Sequence, residues 1–300
     1  MSSPPSSLRT LTARYDRTAF EPSGGRARVR LAVTGGEEWD ALLDGPRARL
    51  VSAKGHPDAT LTATEHAWGN VADDLRSGVD AYRSGRLGVR GNLHVGVGFL
   101  AATSGQRGSG RLRFRMLPTR RARLSILEAG TGRAVVALHG LGGTKGSFLL
   151  SAAELSGRFR VIAVDLPGFG DSDKPIGARY DAPFFARATI DLLDALELER
   201  AHLIGNSMGG RVALEVGLRA PERVDRLALL CPALAWRRER RLAPLLRLAR
   251  PELGLLQLAP RALIEGIVRR LIPDADEGWA GAGVDEFLRA YLTPAGRAAF

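Results

Sequence analysis

The sequence is poor in the residues that would point away from a globular protein of the cell interior. It has one cysteine, Cys231, so no internal disulfide can form. No apolar run approaches the ~18 residues a membrane span needs. The N-terminus, Met1 to Arg9, lacks the apolar core of a signal peptide, and cytoplasm is the expected location. Aromatics make up only 6%, too few to furnish base-stacking platforms. The net charge of +11 comes from 43 Lys+Arg, of which only Lys54, Lys145 and Lys174 are lysine. These basic residues are scattered rather than gathered into a stripe, so nucleic acid is not an expected partner. The five histidines stand apart, none at metal-ligand spacing, and no metal or cofactor is expected.

What is present divides the 300 residues into two parts. Residues 1 to about 25 are Ser/Pro/Gly-punctuated and expected to be loose, with a short helix near Leu8–Phe20. Period-2 patterning follows: Ala27, Val29, Leu31 and Val33 alternate with Arg26, Arg28 and Arg30. Further strands are expected over Trp39–Leu43, Arg47–Ser52 and around Leu61. Trp68, Val71, Ala72 and Leu75 then recur at helical spacing, with Thr64 as N-cap. Leu87, Val89, Leu93 and Val95 alternate as a closing strand. His56, His66 and His94 are expected in surface or capping roles.

This first part resembles the sterol carrier protein family of small α+β lipid-binding domains. The resemblance lies in Asp58–Ala63, the helix after it, and Asp80–Asn92, and it implies an apolar tunnel for acyl or sterol-like ligands. A dimerisation or scaffold module with a filled core is the alternative. The expected division is a carrier-like domain over 1–105, a flexible Gly/Ser-rich linker over 106–117, and an α/β domain over 118–300.

In the second part strands alternate with helices, which implies a mostly parallel sheet covered on both faces. Strands are expected at Leu124–Glu128, Val135–Leu138, from Val161, at Leu203-Ile204 and at Leu227–Leu230. Asp181 with Pro183 reads as a helix start. Three strand-end loops carry the interest: His139-Gly140-Leu141-Gly142-Gly143, Asp165–Ser172, and Gly205-Asn206-Ser207-Met208-Gly209. The last is a G-x-S-x-G between an apolar strand and a helix, the setting that turns a serine hydroxyl out at the top of a sheet. Ser207 is the candidate nucleophile. The N–H of Met208, at the start of the helix, can donate to an oxyanion.

The order of the three loops resembles the α/β-hydrolase family over residues 121–300. That resemblance implies Leu141 as the second oxyanion donor, His139 as the residue orienting its loop, and Gly140, Gly205 and Gly209 as its close-packing supports. It also implies a helical cap over 234–300, with amphipathic faces from Leu242, Ile264 and Phe287. A serine nucleophile argues against the aspartate-dependent epoxide hydrolases and dehalogenases of this fold. Ester, thioester or amide hydrolysis or transfer, and carbon–carbon cleavage of vinylogous diketones, stay open; a hydrophobic acyl or lipid substrate is the preferred reading. Arg237, Arg238, Arg240 and Arg241 read as a solvated helix start or as a contact to lipid headgroups, which leaves peripheral membrane contact open. The family order Ser, Asp/Glu, His is not met, since no histidine follows His202 and Asp274, Asp276 and Asp285 lie in the cap. The expectation is a hydrolase domain without its last two strands; the rival is a lipid-binding protein with a silent hydrolase fold.

Overall fold

The computed structural model describes residues 3–73, 81–82, 84–104, 108, 110–233, 259–272, 276 and 278–299. The chain opens with α1 (Ser6–Ala13), followed by β1 (Arg26–Val33), β2 (Glu38–Asp44), β3 (Arg47–Ser52) and β4 (Ala59–Ala63). Then come α2 (Glu65–Asp73), β5 (Leu87–Gly91) and α3 (Leu93–Thr103). The five strands form one sheet in the order β3-β2-β1-β4-β5, with β1 and β4 parallel. Alternation works as expected along β1, where Ala27, Val29 and Leu31 turn inward. The outward Arg28 and Arg30 meet Asp40 of β2 at 2.7 and 2.9 Å. Thr64 caps α2, accepting from the N–H of Ala67 at 3.2 Å.

Two expectations fail here for the same reason. Residues before Arg26 are not loose, because Leu8, Leu11, Ala19 and Phe20 are fully buried. Leu93 and Val95 do not extend the last strand but begin α3. Gly91 turns the chain at φ +79, and the Asn92 side chain caps the helix by accepting from Val95 N–H. Helix α3 is buried on all sides from Val95 to Thr103, so it lacks the polar stripe by which a helix is recognised. Its glycines serve contact: a Cβ on Gly98 would sit 2.4 Å from the Phe20 ring. Phe20, Trp68, Phe99, Leu31 and Leu61 are buried in the interior of this unit.

A second sheet is built from β6 (Arg113–Pro118), β7 (Arg123–Ala129), β8 (Ala134–Leu138), β9 (Arg160–Val164), β10 (Ala201–Asn206) and β11 (Val224–Leu230). Its order is β11-β10-β8-β9-β7-β6. Strands β8 to β11 run parallel, and β6 and β7 add antiparallel pairs. Strand β6 occupies positions 113–117 of the stretch read as linker. Alternating charged residues (Arg113, Arg115) hid it among polar neighbours, and only pairing with β7 reveals it. Helices α4 (Leu149–Leu155), α5 (Ala182–Ala195) and α6 (Met208–Arg219) connect the parallel strands. Asp181 caps α5 through the Phe184 N–H at 2.8 Å.

The two sheets share one core. Phe20, Leu93, Val97 and Phe99 pack in the same cluster as Phe114, Leu127, Leu149 and Ala163, with α3 between the layers. Among the described residues three helices follow the second sheet: α7 (Arg261–Leu271), α8 (Gly278–Tyr291) and α9 (Pro294–Ala299). Asp285 of α8 grips the first sheet, taking two bonds from Arg90 (2.8 and 3.2 Å) and one from the Gly91 N–H (3.0 Å). The helical segment thus straps the first sheet to the second. Arg237, Arg238, Arg240, Arg241, Leu242 and Asp274 lie outside the described residues. Among the described residues no helix is long and apolar enough to cross a membrane.

Candidate active site

Strands β8 and β10 are neighbours, with Gly205 opposite Leu138. The chain leaves β8 toward one side and returns to β10 on the other, so their carboxyl ends open into one crevice. Ser207 stands there with φ 51 and ψ −109, a left-handed backbone that costs a non-glycine residue roughly 1–3 kcal/mol. The surroundings hold it so. Its N–H donates to Leu230 O at 2.8 Å, and its carbonyl accepts from Arg211 at 3.1 Å and Ala233 at 3.0 Å. A Cβ on Gly205 would fall 2.3 Å from Gly209 O, and one on Gly209 would fall 2.0 Å from Leu138 O. Only glycine lets α6 approach β8 and β10 this closely. Ser207 occupies the N-cap position of α6 but does not cap it with its side chain, which leaves the hydroxyl available.

Met208 is the first residue of α6, so its N–H has no partner within the helix. The loop after β8 lies alongside, a Cβ on Gly140 being 3.5 Å from Ser207 Cβ. His139, fully buried, sets this loop. Its Nε2 accepts from the Leu166 N–H at 3.0 Å, so the proton sits on Nδ1, which donates to Gly140 O at 2.7 Å. Burial lowers its pKa, consistent with this neutral tautomer. Gly140 O also accepts from Gly143 N–H at 3.0 Å. With the Gly140 carbonyl turned inward, the trans peptide directs the Leu141 N–H the opposite way. The Leu141 side chain is 56% exposed.

The histidines are all accounted for without a base beside Ser207. His139 uses both ring nitrogens. His202 sits five residues back along β10, about 16 Å at the strand rise, edge-on to Phe159. His56, in the loop between β3 and β4, and His66 of α2 are exposed. His94 corrects the surface expectation: its side chain is 9% exposed, between the rings of Phe20 and Phe114 at 5.1 and 5.2 Å. Burial, with Lys145 nearby, lowers its pKa to about 3, so its 3.6 Å approach to Asp171 is not an ion pair. Strand β11 runs into Cys231-Pro232-Ala233, which carries no acid, and Asp285 is spent on Arg90.

Sequence reasoning missed a buried ionic cluster behind the site. Lys145 Nζ, 2% exposed, lies 2.6 Å from Asp165 and 3.2 Å from Asp171. Arg289 of α8 adds bonds to Asp171 at 3.1 and 3.3 Å and to Glu286 at 2.8 Å. Burial opposes charge on Lys145, but Asp165 and Asp171 outweigh it and raise its pKa. Burial likewise opposes charge on Asp171, yet Lys145 and Arg289 hold it well below the usual carboxylate range. One signal was available, a lysine beside the glycine loop in a chain with only two others, Lys54 and Lys174. Among the described residues no three His, Cys, Asp or Glu side chains are grouped to hold a metal.

A serine on a strained strand-to-helix turn, next to a glycine loop held by a buried histidine, on a mixed sheet ordered β6-β7-β9-β8-β10-β11, defines a hydrolase-type α/β protein. Residues 133–297 match the family model for the alpha/beta hydrolase fold, and the chain belongs to that family. It is similar to 2-hydroxymuconate semialdehyde hydrolase of Pseudomonas sp. (strain CF600), 40% identical over 111 residues, 36% of this chain and 39% of that protein. It is also similar to 2-hydroxy-6-oxo-6-phenylhexa-2,4-dienoate hydrolase of Comamonas testosteroni, 41% identical over 109 residues, 35% of this chain and 38% of that protein. The matched segments span about two fifths of these relatives. A solved structure of a mutant of a "putative epoxide hydrolase" from Pseudomonas aeruginosa superposes with TM-score 0.55 at 27% identity, covering 63% of this chain and 68% of that one.

Proposed function

We propose that this chain carries the nucleophile and oxyanion site of a serine hydrolase acting on hydrophobic acyl esters, without a cofactor. The observation that carries the reading is Ser207, held at positive φ with an uncapped hydroxyl beside the loop that His139 orients. Ser207 Oγ adds to the ester carbonyl carbon and its proton passes to a base other than the five histidines described above. The N–H groups of Met208 and Leu141 take the oxyanion, each such donor typically lowering the barrier by about 3 kcal/mol. Collapse expels the alcohol and leaves an acyl-serine, which water then cleaves. The elbow glycines and the buried His139 support this reading over the rival in which the fold only binds lipid. For the first sheet, the packed interior supports a scaffold role over a carrier tunnel.

A second reading, carbon–carbon bond hydrolysis of a dienoate, draws support from the names of the two curated relatives. The test uses protein purified from its native source. A fluorophosphonate should label Ser207 and no other serine, and 4-nitrophenyl decanoate should be turned over faster than a 2-hydroxy-6-oxo-dienoate. Preference for the dienoate would move the assignment to the second reading. Absence of both label and turnover would leave the lipid-binding rival.

A further inference from the structure

A groove of about 750 Å³ lies between the N-terminal unit, the loop and helix after β8, and the helical strap, within the range of small-molecule sites. It begins at Gly142 and Gly143, in the loop whose Gly140 lies against Ser207. Tyr82 and Leu93 of the first unit form one wall, Leu149 and Leu150 of α4 a second, and Val284 and Phe287 of α8 a third. Few polar side chains line it: Thr144 Oγ1 accepts from the Gly146 N–H at 3.2 Å, and Ser147 and Tyr82 are the lining residues that carry further hydroxyls. Glu286, 4% exposed, is held by Arg289. Among the described residues no lysine, arginine or histidine lines the space.

We infer that this groove binds an uncharged aliphatic chain, and that Tyr82 and Leu93 make the N-terminal unit part of the binding wall. The occupant follows from the lining. Apolar walls reward burial of methylenes, whereas a carboxylate in the groove would meet Glu286 with no cation to receive it. The position beside the oxyanion loop suits the acyl chain of an ester attacked by Ser207. In that respect the inference rests on the proposed function, but chain binding can be measured without any reaction.

The test is calorimetric titration of the full-length protein with 1-octanol, 1-decanol and decanoate. Decanol should bind saturably, with affinity rising roughly two- to fourfold per methylene from octanol, and decanoate should bind at least tenfold more weakly. Gly283→Trp should cut decanol affinity about tenfold or more. Gly283 lies on α8, lines the groove, and a Cβ there meets nothing within 4 Å. Replacing a helix-interior glycine also does not weaken the helix. Gly283→Leu, a smaller intrusion, should give an intermediate loss, and Tyr82→Ala a loss of about fivefold. Ser207→Ala should bind decanol as the native protein does, which separates failure of the groove from failure of the serine reading. No saturable decanol binding, as when the protein's own chain fills the groove, overturns the inference. So does decanoate binding as tightly as decanol, or equal affinity in both Gly283 variants. Unchanged affinity in Tyr82→Ala overturns the role of the N-terminal unit.

Discussion

Replacing Lys145 by methionine is the sharpest test of how the site is supported. The ammonium is 2% exposed and faces two carboxylates at 2.6 and 3.2 Å, Asp165 at 0% and Asp171 at 10% exposure. Solvent screening is therefore small at this pair. Methionine nearly matches the lysine stem in volume, so the main effect is electrostatic. Asp171 retains Arg289, but Asp165 keeps only the N–H groups of Lys145 at 2.6 Å and Asp171 at 2.9 Å. Removing one partner of a buried pair costs about 3–5 kcal/mol, because the other charge is left uncompensated. For a protein of this size that lowers the melting temperature by about 5–8 °C. Lys145→Met with Asp165→Asn, which removes both charges, should recover at least half of the loss. Thermal melts and urea titrations of the two variants and their parent measure this. A loss below about 1 kcal/mol in Lys145→Met would refute the reading that Lys145 compensates the buried Asp165 charge. The pH dependence has a definite sign. The depressed pKa of Asp171 contributes stability above the unfolded value near ~3.9, lost as pH falls through the folded value. The raised pKa of Lys145 contributes stability present below ~10.4 and lost as pH rises through its folded value. Stability from the cluster should thus plateau between about pH 4 and 10, and Lys145→Met should flatten the acid limb. Asp40 and Glu128, whose pKa values their arginine partners lower against the cost of burial, add to that limb in both proteins.

Other substitutions probe the elbow and its loop. Ser207→Gly should abolish fluorophosphonate labelling while raising stability by about 1 kcal/mol, since glycine adopts positive φ without strain; a destabilised variant would contradict the strained backbone. Gly209→Ala should cost several kcal/mol, at the upper end for overpacking, because the new methyl meets the Leu138 carbonyl at 2.0 Å; urea unfolding within 0.5 kcal/mol of the parent would sink the close-packing account. His139→Ala should destabilise by about 1–3 kcal/mol through the orphaned Leu166 N–H and lower kcat/KM about a hundredfold by freeing the Gly140–Leu141 peptide. Full activity in that variant would remove the loop-orienting role.

The sequence by itself determined the parts that local spacing encodes. The G-x-S-x-G between an apolar run and a helix placed Ser207 on its turn, because a short-range pattern of glycines and strand-then-helix periodicity is all that turn requires. The parallel strands from Ala134 onward, the Asp181 cap and the His-Gly loop were legible for the same reason. Tertiary structure alone decided the rest. Helix α3 has no polar face to read, since it is covered by sheet on both sides, and β6 is a strand only because β7 pairs with it. The Lys145 cluster gathers residues from positions 145, 165, 171, 286 and 289, and the groove joins Tyr82 to Phe287. Such contacts between distant positions leave no periodic trace in the chain, so charge pairing and wall chemistry emerge only once packing has brought the elements together.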